Sequence, residues 1–251
     1  MDSLQDRRIL VIGASSGIGA QTAITLSERG AKVILAARRE DKLREVMAQL
    51  APGEHACHRL DVSDIDSIAG VIDGIVKEHG KLDGMVYAAG IGGDLPLNML
   101  IPEKVRRIFQ TNFFGFIEVT RQVTKKGRYN EAARIVAISS AAALCGDKSH
   151  TAYSASKAAI DASVRCIAKE IAPKGICINT VAPSLIQTDL VDGYMETNGA
   201  ESDGVTQALR RQYLGIGKTT DVANAICFLL SSEARFITGV TLPVDGGSTS
   251  C

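Results

Sequence analysis

The sequence predicts a single domain built on a doubly wound parallel α/β sheet of about seven strands, with helices covering both faces. Three observations predict it. Short strand-like runs alternate along the whole chain with stretches whose apolar positions recur at helical spacing. The first of these runs opens into a glycine-rich turn that leads straight into a helical pattern. The 251 residues, 45% of them hydrophobic, contain no repeat, low-complexity tract or Pro/Ser-rich linker, so one core is expected over 1–251.

In chain order, Ile9-Leu-Val-Ile12 reads as the first strand, Gly13 to Gly19 as the turn and Ala20 to Glu28 as its helix. Lys32 to Ala37 and His55 to Leu60 follow as strands flanking a helix over Leu43 to Leu50, and Ile65 to Val76 is helical. Met85 to Ala89 is a strand, Val105 to Val119 a helix, Arg134 to Ile138 a strand and Ala158 to Ile171 a helix. Ile176 to Val181 is a further strand, Val222 to Leu230 a helix and Val240 to Val244 the last strand. The irregular stretch around 184–217 reads as an inserted loop of the kind that covers a ligand.

Glycines in the Gly13-Ala-Ser-Ser-Gly17-Ile-Gly19 turn allow a tight bend and close backbone approach. The free amides and positive dipole end of the next helix attract a pyrophosphate, so a dinucleotide is the expected guest. Tyr153 and Lys157 stand one helical turn apart, thirteen residues after Ser140. A free phenol titrates at about 10, too high for efficient proton exchange at neutral pH, and a cation one turn away is expected to lower it.

Formal charge is zero and the basic cluster Lys125-Lys-Gly-Arg128 is isolated, which argues against a nucleic-acid surface. The N-terminal apolar run is four residues long, too short for a signal-peptide core or a membrane span, and a soluble cytoplasmic protein is expected. Cys57, Cys145, Cys166, Cys177, Cys227 and Cys251 form no paired framework, and most are read as reduced core thiols. His55-Ala-Cys57-His58 has the residue types of a metal site, but strand alternation turns His55 and Cys57 one way and His58 the other, so no metal is expected from it.

From the glycine turn to Val244-Asp-Gly-Gly247 the chain resembles the short-chain dehydrogenase/reductase family, most nearly its beta-ketoacyl carrier-protein reductases and related ketoreductases. The resemblance rests on Gly13/Gly17/Gly19, Asn112 within Gln110-Thr-Asn-Phe-Phe-Gly, Ser140, and Tyr153/Lys157, in the family's order. It implies a Rossmann-like fold and hydride exchange between a nicotinamide cofactor and a ketone or secondary alcohol, 3-oxoacyl thioesters among them. Steroid and sugar-derived ketones stay open, as does a non-catalytic dinucleotide-binding role. In the implied roles Ser140 orients the substrate oxygen, Tyr153 exchanges its proton, Lys157 tunes Tyr153 and holds ribose hydroxyls, and Asn112 anchors a water. Ser139 is read as a structural strand-end hydroxyl.

The residue at the end of the second strand selects the cofactor: an acidic side chain there binds the 2′-hydroxyl of NAD, whereas here Ala37 is followed by Arg38 and Arg39. A guanidinium suits a 2′-phosphate, so NADP(H) is expected, with Ser15 assisting. The remaining implied cofactor contacts are Ser16, Ile18, Asp61, Val62, Ala89, Gly90, Pro183, Ile186 and Thr188. Substrate walls are expected from Gly92-Gly-Asp-Leu95, Ala141 to Cys145, and Leu190, Val191, Tyr194 and Met195. The family commonly assembles as dimers and tetramers through the helices bearing Asn112 and Tyr153 and through C-terminal contacts. Two departures stand out: Tyr87-Ala-Ala-Gly90 where many members have Asn-Asn-Ala-Gly, and Ser184 where the family often has glycine.

Overall fold

The computed structural model describes residues 4–92, 95–188 and 210–250. Seven parallel strands form one sheet: β1 (Arg8–Ile12), β2 (Lys32–Ala37), β3 (Ala56–Arg59), β4 (Leu82–Tyr87), β5 (Tyr129–Ile138), β6 (Cys177–Pro183) and, in sequence, the ninth strand, β9 (Thr241–Val244). Their spatial order is β3-β2-β1-β4-β5-β6-β9. The order reverses between β1 and β4, which opens a crevice beyond the carboxyl ends of those two strands. A short parallel pair, β7 (Ile186–Gln187) with β8 (Gly217–Lys218), lies apart from this sheet.

Parallel strands are apolar on both sides because both sides are covered. In β1, Leu10 and Ile12 enter one core while Ile9 and Val11 enter the other. The first core is closed by α3 (Ile65–His79), α5 (Gly115–Val123) and α7 (Thr151–Ile171), through side chains such as Ile72, Phe116 and Ile160. The second is closed by α1 (Gly17–Glu28), α2 (Glu40–Met47) and α8 (Thr219–Leu230), through Leu26, Leu43 and Ile226. No described helix is long and apolar enough to cross a membrane.

The strands lie where the sequence places them, and the helix expected over Val105 to Val119 is divided. It comprises α4 (Pro102–Phe109), a π-helical turn over Gln110–Phe114, and α5. Tyr87 gives the physical reason. Its buried phenol donates to the Thr111 carbonyl at 2.6 Å, taking up an acceptor within that turn. Gly115 completes the fit, since a Cβ there would meet the Tyr87 hydroxyl at 2.6 Å and the Val62 carbonyl at 2.7 Å. The aromatic residue that replaces a family amide thus joins β4 to the segment bearing Asn112.

The cysteines depart from expectation. Cys145 and Cys166 are exposed and Cys57 and Cys177 half-buried, leaving Cys227 as the buried one among the described residues. Apolar neighbours in sequence did not determine how deeply each thiol lies on its helix or strand.

Replacing Tyr87 by Phe removes one buried hydrogen bond while keeping the ring packed on Phe116. Thermal unfolding should show a loss of about 1–2 kcal/mol, a fall of roughly 2–8 °C in Tm.

Candidate active site

The glycine turn lies at the crevice. Gly13 has φ +82, and a Cβ there would stand 2.5 Å from the Ala89 backbone nitrogen, so the turn packs directly on the chain leaving β4. Helix α1 starts at Gly17 with no side-chain cap and no acidic residue in its first turn, which leaves its leading amides for an outside acceptor. Among the described residues, only the Thr188 methyl, at 3.8 Å, comes near where a Cβ on Gly17 would be. An uncapped helix end behind a glycine fits a dinucleotide pyrophosphate.

Ala37 ends β2 buried. Arg39 donates to Ser15 Oγ at 3.1 Å and Ser16 Oγ at 3.0 Å. Burial raises the Asp61 pKa, but hydrogen bonds from the Ser63 hydroxyl and amide, together with the Arg38 and Arg59 charges, leave it below the usual carboxylate value. The two guanidinium groups therefore flank the end of β2. Val62 and Ile186 are core residues, so each offers its backbone to a ligand more readily than its side chain. Pro183 ends β6, and its carbonyl accepts from Ala141 at 2.8 Å, tying that strand to the segment bearing Ser140.

The four candidate catalytic residues converge. Helix α7 begins at Thr151, earlier than its periodicity suggests, and so carries both Tyr153 and Lys157. Ser140 follows β5 and is close enough to the Tyr153 phenol to stabilise its ionised form. Asn112 is fully buried: its Oδ1 accepts from Ile91 N at 2.8 Å, and its Nδ2 donates to Ile91 O at 3.0 Å and Ser156 Oγ at 2.9 Å. A Cβ on Gly90 would sit 3.2 Å from Lys157 Nζ and 3.5 Å from Asn112 Oδ1, so glycine keeps these two polar groups facing one space.

Lys157 is held by the sheet and lies over the Tyr153 ring. Its Nζ donates to the Ile138 carbonyl at 2.7 Å and lies 5.9 Å from the phenol ring centroid. Burial pushes the Tyr153 pKa up, outweighing Ser140, so the phenol keeps its proton at neutral pH. Burial likewise brings Lys157 down to about 8, against an opposing pull from Asp161.

A family model described as enoyl-(acyl carrier protein) reductase matches residues 13–249. The 3-oxoacyl-[acyl-carrier-protein] reductase FabG of Escherichia coli is 34% identical over 238 residues, covering 95% of each chain. An L-xylulose reductase of Caenorhabditis elegans is also 34% identical, over 96% of this chain and 95% of that one. A solved actinorhodin polyketide ketoreductase with NADPH superposes with a TM-score of 0.89 at 29% identity, covering all of both chains. The chain belongs to the short-chain dehydrogenase/reductase family. Members of this family are oxidoreductases, and this one acts between ketones and alcohols with a nicotinamide dinucleotide.

Within this short-chain dehydrogenase/reductase, three supporting residues escape a motif search. Asp161, one turn beyond Lys157 and buried, accepts from Ser139 Oγ and Thr180 Oγ1, each at 2.7 Å. Ser139 is thereby the strand-end hydroxyl expected of it. Ser156 relays from Asn112 to the Tyr153 carbonyl, to which it donates at 2.7 Å. Gln212 binds Leu185 through both backbone groups, accepting at 3.0 Å and donating at 2.9 Å. An i, i+4, i+8 series at 153, 157 and 161 was the readable signal for Asp161; Ser156 and Gln212 had none. Ser184 is absent from the positive-φ residues, so serine fits there without strain.

Gly92 lies 3.8 Å from the Tyr153 ring by its missing Cβ, and Leu95 is held by Ser149. Gly93, Asp94, Leu190, Val191, Tyr194 and Met195 lie outside the described residues.

An NMR titration of the Lys157 side chain in the ligand-free protein should give a midpoint near 8, and Asp161→Asn should move it lower. An unfolded lysine titrates near about 10.4, so the stability this group contributes is present above that pH and is lost as pH falls through the folded value.

Proposed function

We propose that this chain is an NADP(H)-dependent ketoreductase whose catalytic residues are Asn112, Ser140, Tyr153 and Lys157. The observation that carries the cofactor choice is the end of β2, where Ala37 offers no carboxylate and two guanidinium groups flank the site. Arg39, already on Ser15 and Ser16, is placed to exchange those hydroxyls for a charge-assisted pair with a 2′-phosphate. Gly13, Ser16, Gly17, Ile18 and Gly19 would hold the pyrophosphate, Asp61 and Val62 the adenine, Ala89 and Gly90 the ribose side, and Pro183, Ile186 and Thr188 the nicotinamide end. The NADPH named with the polyketide ketoreductase supports the same choice.

When bound, the nicotinamide supplies or accepts the hydride. The residues of the chain manage the oxygen. Ser140 donates a hydrogen bond to the carbonyl oxygen as negative charge builds there. Tyr153, held protonated by burial, gives that oxygen its proton; in the reverse direction its phenolate takes one. Lys157 carries an adjustable positive charge beside this exchange, and Asn112 fixes the backbone at Ile91 against α7 while facing the same space as Lys157.

The substrate we propose is a moderately apolar ketone, with 3-oxoacyl thioesters as the leading class. Leu97, Met99, Leu144, Tyr213 and Leu214 are exposed on segments adjoining the catalytic helix and the described end of the 184–217 insertion. FabG carries that activity in its name, while the L-xylulose reductase points instead to a sugar-derived ketone. A dimer or tetramer through α4, α5 and α7 and a cytoplasmic location complete the reading; five unpaired cysteines among the described residues fit a reducing compartment.

NADPH consumption against 3-oxoacyl thioesters, cyclic ketones and ketoses tests the substrate class, and turnover of ketoses alone overturns it. Tyr153→Phe should retain NADPH binding and lose about 10²–10⁴ of turnover; full turnover rejects the proton-donor role. Arg39→Ala should weaken NADPH binding by roughly tenfold or more and leave NADH nearly unchanged, and a wild-type preference for NADH refutes the cofactor assignment.

A further inference from the structure

Strand β3 is alternately committed to two faces. Cys57 packs against the core covered by α1 and α2, so its neighbour His58 turns to the opposite face, beneath α3. On α3 the buried stripe Ile68, Ile72 and Ile75 continues by one more turn to His79, where the helix ends at Gly80 with φ +88. Sheet alternation and helix periodicity therefore deliver two imidazoles to one place. His58 Nε2 and His79 Nε2 are 2.8 Å apart, with the rings 75° from coplanar. Glu78 Oε1 is 3.5 Å from His79 Nε2, and the three ligand atoms all lie within 4.8 Å of one another.

We propose that His58, Glu78 and His79 bind a divalent cation of the zinc type, with water completing its coordination. Two imidazole nitrogens and a carboxylate oxygen are a favoured donor set for that ion. Tetrahedral zinc with bonds of about 2.0–2.1 Å needs the two nitrogens roughly 3.3 Å apart, so the rings separate by only about half an ångström. Without an ion the pair is satisfied by one N–H···N hydrogen bond between opposite tautomers, which leaves the two nitrogens already convergent. The carbonyl end of α3 adds a field favourable to a cation. Glu78 is exposed and both histidines are half-buried, so an ion and its water can enter.

The other histidine of the same strand region is already engaged: His55 Nδ1 accepts from Val33 N at 3.1 Å, and its Nε2 meets the Ala51 carbonyl at 2.8 Å. The four histidines thus provide their own controls. The test is a zinc chloride titration of the full chain, followed by side-chain ¹H–¹⁵N NMR of those four residues. His58 and His79 should shift together while His55 and His150 remain in place. His79→Gln should weaken zinc binding at least about tenfold, and Glu78→Gln, on an exposed side chain, by a few-fold with unchanged circular dichroism. His58 and His79 resonances unmoved at about 1 mM zinc, or both variants binding zinc as tightly as wild type, overturn the proposal.

Discussion

Lys157 brings an ammonium group into a space that is almost closed to solvent, and an isolated charge there is costly. The Ile138 carbonyl accepts a hydrogen bond from it, and Asp161 supplies a balancing charge one helical turn away. Asp161 is itself held by Ser139 and Thr180, from β5 and β6, so the sheet and α7 are tied together at the point where the charge is placed. Ser140 follows Ser139 directly, and Tyr153 lies one turn before Lys157. Stabilising one buried cation therefore fixes the positions of the hydroxyls that meet the substrate.

This arrangement separates two proton affinities that bare spacing had linked. Tyr153 is pushed up and Lys157 down by the same desolvation, because burial disfavours the charged form of each. A phenol that keeps its proton is suited to donating it, and a lysine near neutrality changes charge with small changes in its surroundings. Ligand binding, which alters those surroundings, is then able to retune the pair.

The strands were legible because a parallel sheet buried on both faces favours apolar runs, which are plainest in β1 and β2 and in the Arg134–Ile138 half of β5, whereas the edge strand β3, Ala-Cys-His-Arg, is only partly buried. The glycine turn was legible because Gly13 meets the Ala89 backbone, a contact that tolerates no Cβ. What sequence alone did not expose depends on partners far apart in the chain: Tyr87 with Thr111, Asp161 with Thr180, and His58 with His79. The π-helical turn is the clearest case. Helical periodicity runs through it unbroken, and the Tyr87 phenol that takes up the Thr111 carbonyl comes from a distant strand.

Gln212 anchors both backbone groups of Leu185, and Ile186–Gln187 pairs with Gly217–Lys218 immediately beyond. The chain on either side of 189–209 is thereby fastened together before that stretch begins. Lengthening a chain between fixed ends adds little entropy cost, only about 0.6 kcal/mol for each doubling. The join itself is made by residues outside 189–209, as a clasp is separate from the cord it closes.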